Sequence, residues 1–130
     1  VLPLGTNDML LDPTMAAEAL AQRIGALADV VNAFMLPYSL EGMTRPAKTL
    51  VMAPTAIGET RASPNGLAAE ALRKRLLPAL EAEETRRGFA VFNGALAVPE
   101  APPDGLHPDE QGPARLGLLA ADAIRGALLP

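Results

Sequence analysis

Apolar residues along the chain gather into three short runs that alternate with three longer periodic stretches. Residues 1–4 (VLPL) are apolar and stop at Gly5. Asp12-Pro13-Thr14 then supplies the proline and the short polar side chains that open helices. From residue 15 to about 34, Leu20, Ile24, Leu27 and Val31 recur at intervals of three and four, the spacing of one helix face. Gly25 weakens that helix slightly. Residues 49–53 (TLVMA) form a continuous apolar run closed by Pro54, the mark of a buried parallel strand. Residues 67–87 return to helical spacing through Leu72, Leu76 and Leu80. Pro78 is expected to kink or restart this helix, and Gly88 to end it. Residues 89–92 (FAVF) are the third strand. The closing helix, roughly 109–129, is marked by Leu116, Leu119, Ala123, Ala127 and Leu128. Segments 37–46, 54–66 and 93–103 are rich in Pro, Gly and polar residues and read as loops.

The order is β-α-β-α-β-α. Alternating strands and helices imply a parallel sheet with right-handed crossovers. Ligands of such sheets gather at the carboxyl ends of the strands. Asn7 and Asp8 follow the first strand, 55–57 the second, and Asp104 and His107 lie in the long loop after the third. All of these fall on one rim. The same topology leaves a deficit. Strands laid down in one direction put both crossover helices on one face, and only the last helix remains for the other. A parallel sheet needs both faces covered, and the strand at 1–4 becomes an open apolar edge. Further strands before Val1 are therefore expected. The edge at 1–4 is expected to be covered by such a segment or by self-association.

At 130 residues the chain fits one domain and can bury roughly two-thirds of its unfolded surface. Its formal net charge is −4, which speaks against nucleic acid or an anionic membrane as the main partner, since both require clustered cations. Arg73-Lys74-Arg75 is diluted by Glu70, Glu81, Glu83 and Glu84 and reads as a solvated helix face. The chain has no cysteine, so thiolate chemistry and disulfides are excluded while the compartment stays open. No apolar run reaches the ~20 residues of a membrane span.

His107 is the single histidine. Its ordinary pKa of about 6.5 suits a general acid–base. Asp104, three residues upstream, can curl back to hold one ring nitrogen, the role of the carboxylate in a Ser-His-Asp triad. Asn7 carries an amide able to donate to a developing oxyanion; it also suits a simple turn after Gly5. Asp8 reads as a turn residue or as a carboxylate at a helix start near Met9. Neither metal-ligand spacing nor a glycine-rich dinucleotide or phosphate loop is present, so no metal and no cofactor is expected.

Taken together, the apolar strand leading into Gly5-Thr6-Asn7-Asp8 and the block Asp104-Gly105-Leu106-His107-Pro108 opening the last helix resemble the SGNH/GDSL hydrolases. The first matches that family's GxND block and the second its DxxHP block, with Gly112 where the latter often continues in glycine. LGTND after a strand looks most like the bacterial arylesterase and acyltransferase branch. The resemblance implies a flavodoxin-like three-layer α/β/α sandwich, of which this chain would hold only the last three strands and their helices. It implies hydrolysis or transfer of acyl groups from a small ester substrate through an acyl-serine. His107 would be base and then acid, Asp104 its orienting carboxylate, and Asn7 an oxyanion-hole donor. The chain departs from the family at one point. The GDS block that carries the nucleophile, and the block with the second oxyanion glycine, are absent. The only serines, Ser39 in Pro-Tyr-Ser-Leu and Ser63 in Ala-Ser-Pro-Asn, do not resemble that context. The expectation is thus the C-terminal portion, residues 1–130, of a single hydrolase domain, inactive or nearly so alone. The alternative is a non-catalytic α/β binding or interaction domain.

Overall fold

The three apolar runs become three parallel strands. A computed structural model describes residues 1–33, 49–61 and 64–128. The loop expected at 37–46, with Tyr38, Ser39 and Met43, and also Ser63, lie outside the described residues. Strands β1 (Leu2–Pro3), β2 (Leu50–Ala53) and β3 (Ala90–Asn93) stand side by side in chain order. Leu2 pairs with Val51, Leu50 with Ala90 and Ala53 with Asn93. Helix α1 (Thr6–Leu11) follows β1 and leads to α2 (Ala17–Ala33). Helix α3 (Gly66–Arg87) links β2 to β3, and α4 (Gly112–Leu128) closes the described chain. A short 3-10 turn, Gly94–Leu96, leaves β3. The fold class expected from the alternation is the one found: a parallel three-strand α/β sheet flanked by helices.

Helices α2 and α3 pack on each other and on one sheet face. Leu72, Leu76 and Leu80, one per turn of α3, are fully buried against Leu20, Ala21, Ile24 and Ala28 of α2 and against Val51 and Ala53 of β2. Each such leucine contributes roughly 1.5–3 kcal/mol by leaving water. Met9 from α1, Ile57 from the loop after β2 and Phe89 complete this core. Leu50 and Phe92, on the opposite pleat, are buried outside it. Helix α4 packs against β3 and the 3-10 turn, but Leu116, Leu119, Ala123 and Ala127 of its apolar stripe are only half-buried. The second face is thus thinly covered, as the strand order dictates, and Val1 and Pro3 on β1 are exposed. Among the described residues β1 has a strand neighbour on one side only. The opposite edge is closed differently: the Val91 N–H of β3 donates to the Glu84 carboxylate at 3.0 Å.

The structure differs from several expectations in detail. At Asp8, where a turn or a helix start near Met9 was expected, the structure has helix α1, anchored by Met9, which is buried one turn in. Helix α2 starts at Ala17, since the Asp12 carboxylate accepts from the N–H and hydroxyl of Thr14 and holds an Asx turn ahead of it. Its buried face is Ala17, Leu20, Ala21, Ile24 and Ala28, while Leu27 and Val31 are exposed. Gly25 lies on that face as well, where a Cβ would sit 2.8 Å from the side chain of Arg87 of α3. Helix α3 does not restart at Pro78 but runs through it as one element, and it ends, as expected, at Gly88 in the left-handed region. Arg73 is not on a solvated face; it is 8 % exposed and paired with Glu70.

Candidate active site

All three strands run in parallel, so the turns that follow them share one rim. Gly5, with φ +104°, swings the chain from β1 into α1 and accepts the Met9 N–H on its carbonyl. Burial of Met9 orients this short helix and leaves Asn7 and Asp8, in its first turn, exposed. The space beside Gly5 is filled by Ile24, Leu76 and Pro54, which ties the turn after β1 to the segment after β2.

That segment reaches across to the third turn. Ala56 N–H donates to Val98 O at 3.2 Å, and Gly58 N–H donates to Gly105 O at 2.9 Å. The Thr60 hydroxyl donates to Asp104 O at 2.9 Å. Residues 56–60 therefore form a strap joining the ends of β2 and β3. Loop composition gave no sign of it. Of this region only 55–57 stood out in the sequence, for their place after a strand.

The turn Asp104–His107 is built by its own carboxylate. Asp104 Oδ1 accepts the N–H groups of Leu106 and His107 at 2.9 and 2.8 Å. Asp104 Oδ2 lies 2.6 Å from His107 Nδ1. Gly105 takes φ +81°, a conformation that side-chain-bearing residues avoid, and its N–H donates to Pro102 O. Leu106 packs on the core while the His107 side chain is 81 % exposed. The turn therefore roots itself through Leu106 and presents the imidazole outward. Asp109 finishes the arrangement. Its carboxylate accepts the N–H groups of Gln111 and Gly112 at the start of α4 and pairs with Arg115.

The electrostatics follow from the donors. The His107 N–H, the Leu106 N–H and the His107 ring together hold the Asp104 carboxyl at a pKa of about 2, well below its ordinary value. It is ionised at any physiological pH. An ionised Asp104 beside Nδ1 keeps the proton on Nδ1 and leaves the Nε2 lone pair free to accept another. Asn7 lies exposed in the first turn of α1, the element that follows β1.

A cavity of about 680 Å³ lies on the β3–α4 loop, walled by Leu96, Val98, Pro102, Asp109 and Arg115 among others. Leu96 and Val98 belong to the segment 93–103 that the sequence marks as a loop. Neither His107 nor Asp104 lines this cavity. Among the described residues no cluster of His, Asp or Glu is arranged to hold a metal ion.

No protein-family model matches the chain, and no curated protein matches it in sequence. Solved structures do match it in shape. A carbohydrate acetylesterase family member from Sinorhizobium meliloti superposes with a TM-score of 0.78 at 20 % identity. The native aryl esterase of M. smegmatis gives 0.74 at 23 %. A protein from Agrobacterium tumefaciens str. C58, named for arylesterase activity, gives 0.74 at 26 %. Each comparison covers 96 % of this chain but 59 % of the other. The chain thus spans well under two-thirds of the solved chains it matches, and over that span it has the SGNH hydrolase fold of these esterases.

Proposed function

We propose that residues 1–130 are the C-terminal portion of an SGNH-type serine hydrolase acting on small esters, by hydrolysis or acyl transfer. The observation that carries this reading is the 2.6 Å contact between Asp104 and the Nδ1 of an outward-facing His107. In the proposed cycle His107 Nε2 takes the proton of a serine hydroxyl as that oxygen attacks the ester carbonyl. The imidazolium is steadied by Asp104, which stays ionised. The ring then returns the proton to the leaving alkoxide. A second pass, with water or an acceptor alcohol in place of serine, releases the acyl group. The Asn7 amide donates to the oxyanion, an interaction worth roughly 3–4 kcal/mol in a preorganised site. The nucleophile comes from a GDS block outside these 130 residues, on strands that would pair with the free edge of β1. Without it the dyad has no serine to activate.

The second reading, a binding domain that kept the scaffold, draws on the sequence's lack of a GDS block and on the open β1 edge. Fluorophosphonate labelling of the product of the native gene, followed by peptide mapping, separates the two. The hydrolase reading expects one adduct, on a serine outside residues 1–130. No adduct, or one on Ser39 or Ser63, would overturn it.

A further inference from the structure

We infer that Glu70 is a positioning residue for the Asp104–His107 pair, acting through the strap at 56–60. Glu70 lies one turn into α3, with its side chain 18 % exposed. Its carboxylate is committed on both oxygens. Oε2 accepts the Ile57 N–H at 3.0 Å and Arg73 Nε at 2.7 Å, and Oε1 accepts Arg73 NH2 at 2.8 Å. Burial works to raise the Glu70 pKa, but the Arg73 guanidinium and the Ile57 N–H outweigh it and hold the group below its usual value. An ion pair three residues apart on an open helix face contributes little to stability. This one is drawn inward, and it reaches off its own helix to take a loop N–H.

The loop position it takes decides what it does. Ile57 is 3 % exposed, with its side chain in the core, so its N–H needs a protein partner. The next peptide turns the other way: Gly58 N–H points to Gly105 O. One residue is thus held to α3 and the next to the carbonyl between Asp104 and Leu106. The contact behind it is tight. A Cβ on Gly66, at the start of α3, would lie 1.9 Å from Gly58 O, so the strap is pressed flat between the helix and the turn. Thr60 then takes Asp104 O. The chain of contacts runs from Glu70 to Ile57 and Gly58, and from there to Gly105 and the two side chains of the pair.

This inference rests on the reading of that pair as the acid–base centre, but its test does not need activity. His107 is the only histidine, so a long-range 1H–15N spectrum of the 130-residue chain reports its ring nitrogens alone. At a pH where the ring is neutral, the wild type is expected to show Nδ1 protonated and Nε2 bare. Glu70→Ala is expected to shift both nitrogens toward the Nε2–H form that a free histidine prefers. Glu70→Gln, which keeps an oxygen for the Ile57 N–H, is expected to retain the wild-type pattern. Leu80→Ala, in the core away from the strap, serves as a control for destabilisation at a matched folded fraction. The inference is overturned if Glu70→Ala keeps the wild-type pattern, if Leu80→Ala loses it equally, or if Glu70→Gln loses it as fully as Glu70→Ala. A ring that responds to Glu70 in a protein whose native product takes no fluorophosphonate would support the positioning role and remove only the proposed function.

Discussion

Replacing Gly105 by alanine tests whether the Asp104–His107 turn is held in the geometry described. Gly105 has φ +81°, and an L-residue in the left-handed region costs roughly 1–2 kcal/mol. Alanine also restricts the unfolded chain, which offsets about 0.4–1 kcal/mol. The turn answers the strain either by bearing it or by rotating the peptide. Rotation would break the Gly58 N–H to Gly105 O and Gly105 N–H to Pro102 O bonds, at about 1 kcal/mol each. The net expectation is a loss of roughly 0.5–1.5 kcal/mol. With an m-value of about 2 kcal/mol per molar urea for a chain of this size, the midpoint falls by about 0.25–0.75 M. The same substitution at Gly117 supplies the contrast. That glycine lies inside α4 with nothing within 4 Å of where a Cβ would go, and alanine there should add about 0.5–1 kcal/mol. Urea unfolding followed by circular dichroism reads both. A Gly105→Ala protein as stable as wild type would refute the left-handed turn, and with it the account of how Asp104 meets His107.

Three further outcomes follow from the packing and the charges. Leu76→Ala removes a fully buried side chain that also fills the space beside Gly5; a loss of about 2–5 kcal/mol in urea is expected, and a loss under 1 kcal/mol would contradict the core assignment. Arg87 bridges Glu83 of its own helix and Asp29 of α2, so Arg87→Met should lower the urea midpoint. A double-mutant cycle with Asp29→Ala should show coupling, and strict additivity would count against the bridge. Asp104 has a lowered folded pKa, about 2 against an ordinary 3.8. Its contribution to stability is therefore present in full above about pH 4 and is lost as pH falls toward 2. The stability gap between wild type and Asp104→Asn should be constant above that window and shrink within it, and a gap that does not change with pH would rule out the turn's dependence on the ionised carboxylate.

Much of the architecture was legible because period and punctuation agreed. Leu72, Leu76 and Leu80 repeat every turn, TLVMA and FAVF are too short and too apolar to be anything but buried strands here, and Gly88 stops α3 where a left-handed residue is needed. The thin cover on the second sheet face followed from strand order alone. What stayed hidden depended on tertiary distance. Leu27 and Val31 continue the apolar spacing of α2, yet they are exposed, and the buried face turns to add Ala17, Ala21 and Ala28 to Leu20 and Ile24. Arg73 sits in a basic triplet that looks solvated; only the fold shows that the loop at Ile57 descends onto it and Glu70. At the candidate site, the approach of Asp104 to His107 followed from their spacing on one loop. The strap through Gly58 and Thr60 was not, since its bonds are to backbone carbonyls whose positions no local pattern encodes.

The most direct test of the acid–base role is hydrolysis of p-nitrophenyl acetate by the product of the native gene, compared with its His107→Ala variant. The account predicts that wild type turns over the ester, that kcat falls by roughly 10³–10⁶ in the variant, and that the variant stays folded, because the ring is exposed and the backbone N–H groups of Leu106 and residue 107 still hold Asp104. A His107→Ala protein that hydrolyses the ester at the wild-type rate, or a folded native product with no esterase activity, would contradict it.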